Sequence, residues 1–323
     1  MAVFRAHSAG VRVFENRDLE ASDRIARHLG RGGVAILDGP WEKIIRLRRT
    51  LAAKGASREA LRNLMLRADA ATPQPVPGLP ALLRDGLVAL DDVLFALRSA
   101  ENTHPVEALG GSLITVHPDV LVPRSQPLIW LIRRALERVR PDLPPAPAVL
   151  DMGCGSGVCA LLAAQVMPDA AVLAADHLPE ALASTAVNAA RFAAEGRIRA
   201  GAVATAEPGD LYETLGDRRF DLIIFNAPWV VAPARNRMET ALNDGGQRTI
   251  RRFLAGAPAR LNPGGRVIVG YSDHSGPRAI ANLERFIAEA GLRILGRLSD
   301  RIKTHRKKRA WEAIYAYDLA GRE

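Results

Sequence analysis

The sequence predicts an α/β protein whose C-terminal part forms a mainly parallel sheet. Three observations lead to this prediction. From Ala148 onward, short apolar runs alternate with helical patterns, a glycine-rich turn follows the first run, and the last two runs have no helix between them. Alternation of this kind requires right-handed crossovers between parallel strands. We expect a helical domain or bundle over residues 1–105, a β-hairpin over 106–125 and the sheet domain over 126–323.

Apolar spacing in the first hundred residues predicts helices. The predicted helices cover residues 18–28, 41–54, 57–67 and 79–98, and Ser57 suits the N-cap of the third. Residues 32–38 fit either a short strand or a turn, and four prolines within 73–80 predict a loop. The hairpin is expected to pair residues 113–116 with 120–122 around the turn His117-Pro118-Asp119.

The sheet domain begins with an amphipathic helix over residues 128–139, after which strands and helices alternate. The predicted strands are 148–152, 171–176, 221–225, 266–271, 293–299 and 310–317, and the predicted helices are 160–166, 180–195, 249–257 and 278–290. The last two strands should pair antiparallel because no helix separates them.

Composition excludes several classes of protein. The 323 residues are 48% hydrophobic and 24% charged, which suits a folded globular chain. No apolar run reaches the roughly 18 residues of a membrane span, and the N-terminus lacks the apolar core of a signal peptide. The two cysteines, Cys154 and Cys159, are too few for the disulfide framework of a small secreted protein, and their spacing is not that of a metal site. We therefore expect a cytoplasmic protein with no metal and no membrane contact.

The net charge of +9 is concentrated in one stretch. Residues 301–309 (RIKTHRKKR) carry six cations and no acid. A solvated loop between strands is the simpler interpretation, and a contact for phosphates or for an acidic partner is the alternative.

A glycine-rich turn marks a candidate nucleotide site. Residues 149–157 read VLDMGCGSG, so an apolar strand ends at Asp151 and Gly153, Gly155 and Gly157 precede a helix. Glycines let the backbone turn sharply near a ligand, and the helix N-terminus offers unpaired N–H groups. Asp176 ends the second strand, where an acid suits the hydroxyls of a ribose. A nicotinamide site is an alternative, although its third glycine would come one residue later.

A second motif, Asn226-Ala227-Pro228-Trp229, follows the apolar strand 221–225. The Asn226 side-chain oxygen and the Ala227 carbonyl can accept hydrogen bonds from a target N–H group and so align its lone pair. Pro228 stiffens the turn, and Trp229 offers a planar face to a planar group.

The two motifs together resemble class I S-adenosylmethionine-dependent methyltransferases that act on nitrogen. The pattern Val120-Leu121-Val122-Pro123-Arg124 and the later Asp244-Gly245-Gly246 narrow the resemblance to the release factor glutamine methyltransferase family, over residues 105–317. The resemblance implies a Rossmann-like seven-stranded sheet with an antiparallel last strand, and S-adenosylmethionine as cofactor.

The resemblance also implies roles for individual residues. Asp151 and the glycine backbone would hold the methionine part of the cofactor, Asp176 the ribose, His177 would lie beside the adenine, and Asp210 would receive the adenine amino group. Met152, Cys154 and Asn226 complete the expected cofactor site, with Cys154 as a small filler. The expected catalytic residues are Asn226, Ala227, Pro228 and Trp229.

The chain departs from the family pattern in two places, and these departures guide the substrate prediction. Residues 125–128 read Ser-Gln-Pro-Leu where the family has Pro-Glu-Thr-Glu, and Ala227 and Trp229 replace Pro and Tyr. We therefore predict a small amino-acid-like substrate, with the guanidine of free arginine as the candidate and with Arg124, Glu239 and Asp244 as contacts. The alternatives are a glutamine in a protein such as a release factor, an exocyclic amine of RNA or DNA, and a nucleotide-binding scaffold without methyl transfer. A homodimer is compatible with each.

Overall fold

The computed structural model describes residues 10–76, 79–98, 101–123, 125–306 and 309–321. The chain forms two compact units, residues 1–99 and 100–323. No helix in the described ranges is long and apolar enough to cross a membrane.

The first unit contains a four-stranded sheet and is not the helical bundle that the sequence predicts. Its strands are β1 (Val11–Glu15), β2 (Val34–Asp38), β3 (Leu64–Arg67) and β4 (Leu87–Ala89), in that spatial order. The first three are parallel, and β4 is antiparallel to β3. Its helices are α1 (Ser22–Gly30), α2 (Trp41–Ala53), α3 (Arg58–Arg62), α4 (Leu79–Leu82) and α5 (Leu90–Leu97).

Two predicted helices are wrong because each contains a strand. The helix expected over 57–67 stops at Arg62, and the buried run Leu64–Leu66 continues as β3. A short apolar run buried on both faces has no helical period to distinguish it. The helix expected over 79–98 is broken at Asp85 and Gly86, whose φ angles of 50° and 75° form a tight turn before β4.

The hairpin is present, but its strands differ from the prediction. β5 (Thr103–Val106) pairs antiparallel with β6 (Ser112–Thr115), and residues 120–122 form no strand. The other edge of β6 is occupied by side chains of a later helix. The Thr115 N–H donates to Asn188 Oδ1 at 2.7 Å, and the His117 N–H donates to Ser184 Oγ at 3.0 Å. Residues 120–122 therefore find no free edge to pair with.

The second unit contains the predicted seven-stranded sheet. Its strands are β7 (Ala148–Met152), β8 (Ala171–Ala175), β9 (Val203–Thr205), β10 (Phe220–Asn226), β11 (Leu261–Ser272), β12 (Leu292–Arg306) and β13 (Arg309–Gly321), in the order β12-β13-β11-β10-β7-β8-β9. β13 is antiparallel to both of its neighbours, which confirms the expected antiparallel last strand. The sequence did not predict β9, which has only three residues. The expected solvated loop over 301–309 is a strand pair up to Arg306 and from Arg309, and residues 307 and 308 lie outside the described part.

Helices cover both faces of this sheet. They are α6 (Gln126–Val139), α7 (Val158–Val166), α8 (Pro179–Ala194), α9 (Arg248–Gly256) and α10 (Pro277–Glu289). Val149 packs in the core beneath α6, α7 and α8, whereas its neighbour Leu150 packs in the core beneath α9 and α10. Burial on both faces explains why the strands read as continuous apolar runs.

Candidate active site

A cavity of about 470 Å³ lies at the carboxyl ends of β7, β8 and β10. Ligands of open α/β sheets bind at this edge, in a crevice where the strand order reverses. The structure brings many of the predicted site residues into its lining: Met152, Gly153, Cys154, Gly155, Asp176, His177, Asp210, Asn226 and Pro228. Asp151, Gly157, Ala227, Trp229, Glu239 and Asp244 are not part of that lining.

The glycine loop, residues 153–157, connects β7 to α7 by a tight path. Gly153, Gly155 and Gly157 all have positive φ angles, of 64°, 53° and 82°. A Cβ atom on Gly157 would lie 2.9 Å from the side chain of Thr185 on α8, and one on Gly153 would lie 3.1 Å from the Phe225 ring. Glycine at these positions therefore allows the loop to pack closely and leaves its backbone facing the cavity.

Asp151 lies behind the glycine loop. Its carboxylate is 1% exposed and accepts a hydrogen bond from the Ala160 N–H in the first turn of α7, at 2.9 Å. Burial raises the pKa of Asp151 to about 8, against the opposing effect of that hydrogen bond. Asp151 thus joins the end of β7 to the start of α7 and supports the loop from behind.

Asp176 lies in the cavity wall with both carboxylate oxygens engaged. Oδ2 accepts from the Gly155 N–H at 3.0 Å, and Oδ1 accepts from the Leu178 N–H at 2.9 Å. A carboxylate has about four acceptor sites, so it keeps capacity for ligand hydroxyls. His177 Nδ1 lies 3.3 Å from Asp176 Oδ1, and this contact raises the pKa of His177 above its ordinary value.

Asp210 follows β9 at the rim of the cavity. Its Oδ2 atom forms an ion pair with Arg252 Nη1 on α9, at 2.8 Å, and both side chains line the cavity. Sequence reasoning found Asp210 but missed Arg252, because Arg252 lies on a helix whose pattern carries no site signal. Half of the Asp210 side chain is exposed, so the ion pair is accessible to a ligand entering the cavity.

Asn226 ends β10 and carries an unused acceptor. Its Oδ1 atom is buried, and no hydrogen-bond donor reaches it among the residues described. Gly270 on β11 makes room for it, since a Cβ atom there would lie 3.0 Å from Asn226 Oδ1. Because buried polar atoms in native proteins are almost always satisfied, an unpaired acceptor on a residue that lines the cavity needs a donor that the described residues do not supply.

The rest of the Asn226 motif is placed differently from the prediction. The Ala227 N–H donates to the Gly270 carbonyl at 3.1 Å, which holds the turn against β11. Pro228 lines the cavity. Trp229, however, is half-buried and packs against the two sheet cores, while its carbonyl accepts from Ser275 Oγ at 3.1 Å. The structure therefore does not bring the Trp229 ring to the cavity as an aromatic cover.

The predicted substrate acids have structural partners. The Asp244 carboxylate is 2% exposed and accepts from the N–H groups of Thr249 and Ile250 at 2.9 and 3.0 Å, at the start of α9. Glu239 forms an ion pair with Arg235 at 2.7 Å. Neither lines the cavity, and Arg124 lies outside the described residues.

Sequence reasoning placed Glu239 in the segment that completes the cavity wall but missed the residues of that segment that line the cavity. Met238, Thr240 and Ala241 line it from a short 3-10 helix, and Thr240 Oγ1 lies 3.3 Å from His177 Nε2. Val120, Ile129 and Cys159 add apolar wall from other elements. The segment has no periodicity, so the sequence did not predict which of its residues face the cavity.

Comparison with known proteins assigns the family. Residues 136–290 match the family described as the Methyltransferase small domain. The chain is 31% identical over 194 residues to the release factor glutamine methyltransferase of Xylella fastidiosa strain Temecula1, covering 56% of this chain and 67% of that protein. This chain belongs to the same methyltransferase family as that relative. The nicotinamide alternative is therefore excluded.

Other members of the methyltransferase family differ in the name of their substrate. The release factor glutamine methyltransferase of Geobacter sulfurreducens is 36% identical over 165 residues, covering 48% of this chain and 54% of the relative. The ribosomal protein uL3 glutamine methyltransferase of Bradyrhizobium diazoefficiens is 40% identical over 130 residues, covering 37% and 39%. The matched part thus spans less than two thirds of the length of these two relatives.

The cofactor of this methyltransferase family is S-adenosylmethionine, and the residues of the cavity fit it. The volume lies within the range of ligand and cofactor sites. Glycine backbone, two acids and an apolar wall match a ligand with an amino acid, a ribose and an adenine. Asn226, whose Oδ1 atom has no donor among the described residues, lines the same cavity.

Proposed function

We propose that this protein is an S-adenosylmethionine-dependent methyltransferase that modifies the side-chain amide nitrogen of a glutamine in a protein substrate. The observation that carries the proposal is Asn226, which lines the cavity at the end of β10 and whose buried Oδ1 atom has no hydrogen-bond donor among the described residues. The named substrates of the relatives, a release factor and ribosomal protein uL3, support a glutamine in a protein.

Asn226 acts on the acceptor nitrogen. Its Oδ1 atom accepts a hydrogen bond from one N–H of the glutamine amide, which fixes the orientation of the nitrogen and raises its electron density. The nitrogen lone pair then points towards the methyl group of the cofactor. The proton that the nitrogen loses after methyl transfer is released to solvent. Alignment of this kind supplies a large part of the rate enhancement in a displacement reaction. The bound cofactor supplies a methyl group on a sulfonium.

The cofactor is held by the other side of the cavity. Asp176 keeps acceptor capacity for the ribose hydroxyls, and Asp210 at the rim accepts from the adenine amino group in competition with Arg252. The backbone of Gly153 and Gly155 approaches the methionine part. Asp151 contributes by holding the glycine loop against α7.

The prediction of a free arginine substrate finds no support, and the glutamine alternative fits better. A guanidinium needs carboxylates near the reacting nitrogen and an aromatic face above it. The structure engages Asp244 with α9 and Glu239 with Arg235, and it packs Trp229 into the sheet cores. A neutral amide needs none of these groups, and one of its N–H groups can donate to Asn226 Oδ1.

The test is a methyl-transfer assay with a panel of acceptors. Purified full-length protein and S-adenosylmethionine are incubated with a release factor, ribosomal protein uL3, free glutamine and free arginine, and mass spectrometry locates any added methyl group. We expect transfer to a glutamine of one of the two proteins. Transfer to free arginine, or transfer to neither protein with the cofactor bound, would contradict the proposal.

Two variants separate the role of the motif from general damage. Asn226→Ala is expected to lower kcat by about 10²- to 10³-fold, the usual effect of removing one preorganised hydrogen-bonding group. Asn262→Ala makes the same chemical change at the opposite end of the sheet, where Asn262 Nδ2 donates to Asp221 Oδ1 at 2.8 Å. Its activity should stay close to that of the parent protein.

A further inference from the structure

The segment between the Asn226 motif and α9 leaves the end of β10 and returns to its starting point. Val230 and Asn243 pair in an isolated bridge, and the Val230 N–H donates to the Leu242 carbonyl at 2.9 Å. Residues 231–242 therefore form a loop that is closed at its base, and this loop is called the strap below. A loop whose ends are held together keeps its base fixed when its middle moves.

Hydrogen bonds fix both ends of the strap to the sheet domain. After β11, the Ser275 hydroxyl accepts from the Val231 N–H at 2.8 Å and donates to the Trp229 carbonyl at 3.1 Å. At the other end, the Asp244 N–H donates to the Val230 carbonyl at 2.8 Å, and the Asp244 carboxylate accepts from two N–H groups of α9. A movement of the strap therefore takes place between these two anchors.

The middle of the strap crosses from one side of the cavity to the other. β7 lies between β10 and β8 in the sheet, so a segment that starts at β10 and reaches β8 spans two strand spacings, about 10 Å. Thr240 completes this crossing, because its Oγ1 atom lies 3.3 Å from Nε2 of His177, which follows the end of β8. Met238 and Ala241 line the cavity together with Thr240. The strap is therefore the wall that connects the Asn226 side of the cavity to the His177 side.

Exposed polar contacts hold the middle of the strap in place. No residue from 231 to 243, all of which the structure describes, is buried. Besides the contact just described, Arg237 Nη2 lies 3.6 Å from Glu180 Oε2 at the start of α8. Arg235, by contrast, forms its ion pair with Glu239 inside the strap. A segment that buries little surface opens at a low cost in free energy.

We propose that the strap is a lid that admits and releases S-adenosylmethionine, and that the Thr240–His177 and Arg237–Glu180 contacts are the latch that keeps it closed. Both contacts lie on the β8 side, opposite the fixed base, so their loss widens the cavity on that side. Cofactor entry and cofactor release both need the open state, because the strap forms a wall of the cavity. The proposal concerns the exchange of the cofactor and does not depend on the identity of the methyl acceptor.

The first experiment measures cofactor exchange by surface plasmon resonance on immobilised full-length protein. The probe is S-adenosylhomocysteine, which has no methyl group to transfer. Thr240→Val removes the hydroxyl and keeps the side-chain shape, and it should raise kon and koff together by about 2- to 10-fold, the effect of one hydrogen bond. Arg237→Gln should raise both by about 2- to 5-fold, the effect of an exposed ion pair. Because opening speeds entry and release equally, Kd should stay nearly constant. Arg235→Gln, the matched control on the same strap, should exchange the probe like the parent.

The second experiment measures opening in the protein without a ligand. Cys154 and Cys159 are the two cysteines of the chain, both are buried, and both line the cavity. A thiol-reactive probe should therefore label the double variant R237Q/T240V faster than the parent, by about the same factor as the rise in kon. S-adenosylhomocysteine should protect both cysteines from the probe.

Three outcomes would overturn the proposal. They are a rise in koff without a rise in kon, which would make the strap residues simple cofactor contacts, unchanged exchange and thiol labelling in R237Q/T240V, and equal effects of Arg235→Gln and Arg237→Gln. Thermal unfolding of each variant confirms that it is folded. Because neither experiment uses a methyl acceptor, a negative result here leaves the glutamine methyltransferase proposal standing, and the reverse also holds.

Discussion

Replacing Asn226 by alanine should abolish most activity without destabilising the protein. The Asn226 side chain forms no hydrogen bond within the described residues, and its buried Oδ1 atom is unpaired. A buried unsatisfied acceptor costs about 1–3 kcal/mol. Losing the packing of the shortened side chain costs about 1 kcal/mol. The free energy of unfolding of Asn226→Ala should therefore be unchanged or higher by up to about 2 kcal/mol.

Asn188→Ala is the matched control, because it is the same substitution with the opposite expectation. Asn188 is fully buried, and its side chain exchanges hydrogen bonds at 2.7 Å with the Thr115 N–H and C=O and donates to the Ser156 carbonyl at 2.9 Å. Losing these three buried hydrogen bonds should lower stability by about 2–4 kcal/mol.

Both variants are measured without cofactor, by urea unfolding followed through circular dichroism and tryptophan fluorescence. Three of the four tryptophans lie in the second unit, so fluorescence reports mainly on the unit that carries both asparagines. A loss of stability in Asn226→Ala as large as in Asn188→Ala would refute the reasoning. It would mean that Asn226 is a structural residue and that its acceptor is not kept open for a substrate.

Three further substitutions test the support of the site. Gly157→Ala places a Cβ atom 2.9 Å from Thr185 at a φ of 82°, so the free energy of unfolding should fall by about 2 kcal/mol. The affinity for S-adenosylmethionine, measured by calorimetry, should fall as well. An unchanged affinity would contradict the role of the close-packed glycine loop in binding the cofactor. Asp244→Ala removes acceptors for two N–H groups of α9 and should cost about 1–2 kcal/mol without changing the KM for the protein substrate; a raised KM would show substrate contact. Burial raises the pKa of Asp151 to about 8 from an ordinary 3.8, so the free energy of unfolding falls as pH rises between these values. Asp151→Asn should flatten this pH dependence in urea unfolding. An unchanged pH dependence in the variant would show that Asp151 is not its cause.

The sequence predicts the second unit far better than the first for a physical reason. Strands buried on both faces, such as β7 and β10, produce continuous apolar runs that stand out between helices. In the first unit, β3 and β4 have only four and three residues. β3 follows directly after a helix, and β4 follows the Asp85-Gly86 turn within a stretch of leucines. Tertiary pairing, and not local pattern, decides these strands.

The candidate site also contains residues that the sequence predicts and residues that it does not. The glycine loop and Asp176 were predictable because a turn with positive φ and an acid at a strand end are local features. Arg252 and Thr240 were not, since each reaches the cavity from an element whose sequence has no site signal. The motif also does not predict where the Trp229 side chain lies, because its packing against the two sheet cores decides that.

The acidic side chains around this cavity show why an uncharged substrate group fits the site. Asp151 binds an N–H at the start of α7, Asp244 binds N–H groups at the start of α9, and Asp176 binds the glycine loop. Each of these side chains therefore stabilises backbone around the cavity. Asn226 Oδ1, which has no donor among the described residues, is an uncharged acceptor. Such an acceptor suits a donor that needs no counter-charge, and a carboxamide N–H meets that requirement whereas a guanidinium does not.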